Sequence, residues 1–180
     1  GEAEAVLRLP SGVGIALATA EASRQVVTFS AQVSGSGISN FPKLPFDGNS
    51  YVGSAAAILK YFQDRGELAG AAGTVTAAAV DSYLRNFCVL DSDANQICDG
   101  YLINPETPNL WRLVDFSGGT LEILPISPNE AGIREALTGG FPVLVSLRLA
   151  DGSAAAVVAT GVSASGGILI MDPHPRQPRV

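Results

Sequence analysis

The chain has 180 residues, of which 47% are apolar and 16% charged, a balance that argues against a disordered chain and suffices for one domain with a sizeable core. Its net charge is −6, and its 11 basic residues are scattered without a basic patch interleaved with aromatics, which argues against nucleic-acid binding. No apolar run reaches the roughly 18 residues that cross a bilayer as a helix, so no transmembrane segment is expected.

Residues 5–9 and 26–33 form short apolar stretches, and the second alternates as a strand does. The Ala-rich segment 14–24 between them fits either a helix or another strand. The Ser-Gly-Ser-Gly run at 34–37 marks a flexible break, dividing a strand-containing N-terminal extension (1–36) from the main domain (37–180). Residues 50–64 predict a helix, with Ser50 as N-cap and Gly66 just beyond its end. Residues 75–88 predict a second, capped by Thr74 or Thr76. Its Val80, Tyr83, Leu84 and Phe87 fall on one face and read as core. Pro105 and Pro108 mark a loop. Residues 110–116 form a helix turn or a strand, and Trp111 within them either lines a groove or packs structurally. Residues 121–125 look like a strand. Ser127, Pro128 and Glu130 open a helix, with Ser capping and Glu completing a capping box. That helix should end at Gly139-Gly140 in the left-handed region. Three strands follow, at about 141–147, 152–161 and 168–173. Helices first and antiparallel strands after them give an α+β fold.

Cys88 and Cys98 flank an acidic loop. In an oxidising compartment they pair, and closing so short a loop contributes roughly 2–3 kcal/mol by the chain-entropy argument; in a reducing one they are buried thiols. Between and beside them, oxygen-bearing groups alternate: Asp91, Asp93, Asn95, the Ile97 carbonyl and Asp99. Calcium takes such hard oxygen ligands at alternate loop positions. The run resembles calcium loops of EF-hand, dockerin and thrombospondin-repeat proteins. It departs from them at Gln96, where glycine is usual, and at Leu102, where a bidentate Glu is usual. The other reading is a solvated acidic turn held by a disulfide.

Two motif-bearing stretches lie at opposite ends of the main domain. One is Ser50-Tyr51-Val52-Gly53-Ser54-Ala55-Ala56-Ala57-Ile58-Leu59-Lys60-Tyr61-Phe62. The other begins at Gly140-Phe141-Pro142-Val143, closes a second strand at Gly161 and ends at Asp172-Pro173. Over residues 41–175 this order resembles papain-like cysteine peptidases of the bacteriocin-processing (double-glycine leader) group. There a Cys-Gly-Pro opens the nucleophile helix, a strand opens with the catalytic His, and the next strand ends in Asp-Pro. Gly53 matches the family Gly, so the resemblance puts Val52 at the nucleophile. Counting back from Gly161 puts Ala155 at the His. Phe46 stands near the usual Gln, and Asp172 alone is retained.

Valine has neither lone pair nor proton, and alanine cannot titrate, so the family's chemistry is lost. A Cys–His pair would have to use His174, the only histidine, with Cys88 or Cys98. A serine alternative would use Ser50 or Ser54 with His174. Otherwise His174 is an exposed ring in a Pro-rich tail, and Asp172 initiates a turn before Pro173. The resemblance implies a papain-like pseudo-peptidase in which Val52, Ala155 and Asp172 converge. The expected function is that of a binding or scaffolding module of an exported bacterial protein, taking peptide or glycan in the old cleft. The competing readings are a hydrolase with a rebuilt site and a calcium-stabilised structural domain. The expected location is extracellular or periplasmic, with a signal peptide outside this sequence and the domain part of a longer protein.

Overall fold

The computed structural model describes residues 14–22, 25–33, 37–38, 40–68, 73–102 and 107–175, the first two segments as backbone. The stretch 5–9, most of the 34–37 break and Pro105 lie outside the described residues. The chain is α+β. An N-terminal hairpin pairs β1 (Gly14–Ala22) with β2 (Gln25–Val33), antiparallel from Gly14 opposite Val33 to Ala22 opposite Gln25. Of the two conformations that segment 14–24 allowed, its described residues 14–22 form the strand.

Helix α1 (Ser50–Asp64) is the centre of the molecule. It is Ala-rich and buries residues around most of its circumference, as a helix packed on several sides must. Its N-cap is Asn49 rather than Ser50. The Asn49 Oδ1 accepts from the Tyr51 amide at 2.9 Å, which leaves the Ser50 hydroxyl for a tertiary contact. Helix α2 (Ala77–Asn86) is capped by Thr76, whose Oγ1 accepts from Ala79 N at 3.1 Å. Its Val80 and Leu84 pack with Val52, Ala56 and Leu59 of α1, while Tyr83 lies partly buried against the same cluster.

A short hairpin of β3 (Val89–Leu90) and β4 (Gln96–Ile97) follows α2, antiparallel with Val89 opposite Ile97. A 3-10 turn at Leu110–Arg112 runs into α3 (Leu113–Phe116), and Leu113 joins the α1–α2 core. Residues 121–125 are not a strand. The Leu121 amide donates to Ser117 Oγ at 2.9 Å, Leu124 is exposed, and no strand among the described residues pairs with this segment.

Helix α4 (Glu130–Thr138) starts two residues later than the expected capping box. Asn129, not Ser127, is the cap, with its Oδ1 accepting from Gly132 N at 2.9 Å. Glu130 instead pairs with Arg134 one turn on, at 2.8 Å. The helix ends as anticipated at the glycine pair, but only Gly140 is left-handed, at φ 83°; Gly139 stays right-handed.

The C-terminal sheet has the order β5 (Val143–Arg148), β6 (Ala154–Val162), β7 (Ile168–Met171), antiparallel throughout. Strand β6 is buried at almost every position, so both faces of the sheet are covered. On one face Val158 and Met171 pack with Ala57 of α1. On the other Ala159, Val162, Val143 and Val145 pack with Leu137 and Ile133 of α4. The molecule is therefore layered: α2, α1, sheet, α4. The alanines of β6 let both helices come close.

Candidate functional site

The motif stretches from the two ends of the main domain meet at the start of α1. Phe46 N donates to the Pro173 carbonyl at 2.8 Å. A Cβ placed on Gly53 would lie 2.8 Å from Pro173 Cβ and 3.2 Å from Phe46 Cβ. Only glycine permits α1 to pass the β7 exit this closely. Ser50 Oγ accepts from the Ala156 amide at 3.0 Å, at a place on β6 beyond the end of β7's pairing. Next along the helix, the Tyr51 hydroxyl shares a hydrogen bond with Ser146 Oγ on β5, directly opposite Ala156.

The residues counted as vestigial catalytic positions are not the ones that meet here. Side chains alternate across a strand. Ala156 and Val158 stand on the α1 face with Ser146 and Leu144, whereas Ala155, Val157 and Ala159 stand on the α4 face. Ala155 therefore points away from α1. The cause is legible in the pairing: β6 slips register between Ala159 and Gly161. A bulge adds a residue, and a count of one too many or too few moves a side chain to the opposite face. Counting back from Gly161 crosses that bulge. Val52 is fully buried and belongs to the core shared by α1 and α2. Asp172 is half-buried at the exit of β7, where its Oδ1 accepts from His174 N at 2.9 Å, the turn that Asp-Pro favours.

The serine and cysteine options for a nucleophile are closed as well. Ser54 is 0% exposed, and its Oγ meets no hydrogen-bonding partner. Ser50 is 7% exposed and already holds the Ala156 amide. Neither hydroxyl can reach a substrate in this structure. Cys88 and Cys98, the chain's two cysteines, form a disulfide, so no thiol remains.

The disulfide closes the β3–β4 hairpin. Inside it, Asp91 Oδ1 accepts from Asp93 N at 2.9 Å and from Asn95 N at 2.8 Å, and Asn95 Nδ2 reaches Oδ2 at 3.2 Å. These bonds, Asn95's amide above all, hold the Asp91 carboxyl below the usual carboxylate range. Asp99 turns to Arg112, which donates from Nε at 2.9 Å and also through Nη2. That pairing lowers the Asp99 pKa and commits the carboxylate the calcium reading needs last. Among the described residues, no three His, Cys, Asp or Glu side chains gather as metal ligands would. The loop holds its shape on its own hydrogen bonds and its disulfide.

A polar-aromatic network behind the hairpin has no counterpart in the sequence reading. The Arg112 guanidinium lies 4.8 Å from the Phe87 ring centroid as well as on Asp99. The Tyr101 hydroxyl donates to Asp81, which also pairs with Arg85 at 2.8 Å, and Arg85 stacks over the Tyr101 ring at 4.9 Å. Burial, followed by that bond to Asp81, pushes the Tyr101 pKa up to about 12. Gly100 sits so near α2 that a Cβ would fall 1.9 Å from the Leu84 carbonyl oxygen. The Asp99–Arg112 and Asp81–Tyr101 partners lie 13 and 20 residues apart in sequence, and no short-range pattern reports them.

Compared with known protein families, characterised proteins and solved structures, the chain matches none. No helix among the described residues is long and apolar enough to cross a membrane.

Proposed function

We propose that this chain is a non-catalytic binding or scaffolding domain, built on a helix-then-sheet order like that of papain-like peptidases, and acting outside the reducing cytosol. The observation that carries it is the closed start of α1. The elements that would frame a peptidase site are in contact through Gly53, Phe46 and Pro173. The start of α1 and the strand it meets leave no open side chain there: Val52, Ser54 and Ala156 are all at most 1% exposed. A nucleophile must be reached by substrate and by a base, and the buried hydroxyls of Ser50 and Ser54 are closed to substrate. The same filling argues that peptide or glycan binds on the outer surface and not in a cleft at these residues. The disulfide supports an exported protein, since such bonds persist in oxidising compartments.

The test is a fluorogenic peptide panel run on the wild type and on His174→Ala. We expect no turnover above buffer from either. Turnover that disappears in His174→Ala would overturn the reading in favour of a rebuilt hydrolase site.

A further inference from the structure

We propose that the Cys88–Cys98 disulfide is a reversible redox switch. A dithiol reductant opens it in the folded protein and loosens the β3–β4 hairpin while the rest stays folded, and a disulfide oxidant closes it again. This goes beyond the binding-domain reading and rests on it for one point, that the domain works outside the reducing cytosol.

The bond lies at the surface. Both cysteines are exposed, and so is every residue between them except the half-buried Asp91. Thiol–disulfide exchange begins with a thiolate attacking a sulfur, so access decides which bonds react in an intact fold, and exposed disulfides are the labile ones. The chain has no other cysteine, so reduction has a single target.

What the bond holds is confined. Strands β3 and β4 have two residues each and pair with one another. Among the described residues, neither strand joins one of the three core clusters. A hairpin this short does not hold in water on its own pairing. The chain on either side is anchored without the bond. Leu84 of α2 is in the core, Gly100 passes close against its carbonyl, and Arg112 holds Asp99. Opening therefore stops at α2 on one side and at Asp99 on the other. The same anchors keep the two thiols near each other after reduction. Asp91, bonded to the amides of Asp93 and Asn95, keeps the turn between them, so the loop left to close is short and closes at low entropic cost.

The electron balance is simple. One thiolate of the dithiol attacks a cysteine sulfur, forms a mixed disulfide and releases the other cysteine as a thiolate. The reductant's second thiolate attacks the mixed disulfide and releases the second cysteine. The protein gains two electrons and two protons, and the reductant leaves as a disulfide. An exported chain is made reduced and meets the opposite step, in which a disulfide of the oxidising compartment takes those two electrons and both thiols give up their protons. The hairpin is thus open where the chain is made and closed where it works.

The test treats the full chain with dithiothreitol in native buffer, labels thiols with iodoacetamide for mass spectrometry, and follows hydrogen exchange in both forms. Two labelled cysteines should appear without denaturant. Exchange at residues 89–97 should quicken by about tenfold or more, because the crosslink no longer restrains opening. The amides of Val157 and Val158 should remain the most protected. Glutathione disulfide should restore the bond and the slower exchange, and Asp91→Ala should slow that closure. Labelling only in denaturant would overturn the proposal, as would reduction that leaves exchange at 89–97 unchanged. So would loss of protection at Val157 and Val158 to the level of the hairpin, or a folded reduced protein that glutathione disulfide does not close. A bond that resists reduction leaves the non-catalytic reading untouched, whereas turnover in the peptidase assay would overturn that reading and leave the switch standing.

Discussion

Two residues show how much of this fold hangs on single close approaches. Gly53 sits inside α1, where alanine would ordinarily strengthen a helix by about 1 kcal/mol. Its missing Cβ is what admits Pro173, which a Cβ would approach to 2.8 Å. Overpacking of this kind costs about 1–3 kcal/mol, so Gly53→Ala should destabilise by about 1 kcal/mol net in a denaturant melt. A stabilised Gly53→Ala protein would mean that α1 and the β7 exit do not touch. Tyr101 gives a pH signature. Its folded pKa, about 12, is raised above the ordinary tyrosine value of about 10. The neutral hydroxyl is favoured in the folded state, so its contribution is complete below about pH 10 and is lost as pH rises toward 12. Melting temperature should therefore fall across that alkaline window, and Tyr101→Phe should flatten the fall. A tyrosinate absorbance titration in which all four tyrosines ionise together near 10 would rule out the Asp81 contact.

At the scale of elements, the β3–β4 hairpin is the piece least able to stand alone. Each strand has two residues, and a two-stranded hairpin is marginal in water even when longer. The disulfide across a separation of 10 residues supplies about 3 kcal/mol by the chain-entropy argument. The double variant Cys88→Ser, Cys98→Ser should lose about that much stability in a denaturant melt; unchanged stability would show that the Arg112–Asp99 pair alone holds the hairpin. The helices and the three C-terminal strands were legible in the sequence because their apolar periodicity is local. Caps were less so: Asn49 and Asn129 displaced Ser50 and Ser127, because an oxygen side chain caps only from the residue whose backbone is already extended. The segment 121–125 reads as a strand by composition, but strand formation needs a neighbour that composition does not name. The placement of the candidate positions was hard to read for a related reason. A count along β6 crosses a bulge that only pairing reveals, and one residue of slip exchanges Ala155 for Ala156 on the α1 face.

For the whole molecule, the layering predicts a graded stability. Strand β6 is covered by α1 on one face and α4 on the other, and α1 is covered again by α2. Amides at the centre of such a stack open only when the domain unfolds, whereas those of a projecting hairpin open locally. The amides of Val157 and Val158 and of the middle of α1 should thus show the slowest hydrogen exchange, with opening free energies equal to global stability. Those of residues 89–97 should exchange fastest among the described strands of the main domain. The order also separates a filled interior from an active site. A cleft at the start of α1 would admit water to Ser50, Ser54 and the Ala156 amide, and that amide would then exchange early. The hydrogen bond from Ala156 to the buried Ser50 hydroxyl predicts late exchange instead. Ser50→Ala removes the acceptor and leaves a buried donor, a loss of about 1–3 kcal/mol, and should release that amide first. Early exchange at Ala156 in the wild type would mean that the interior opens, and the non-catalytic reading would fall with it.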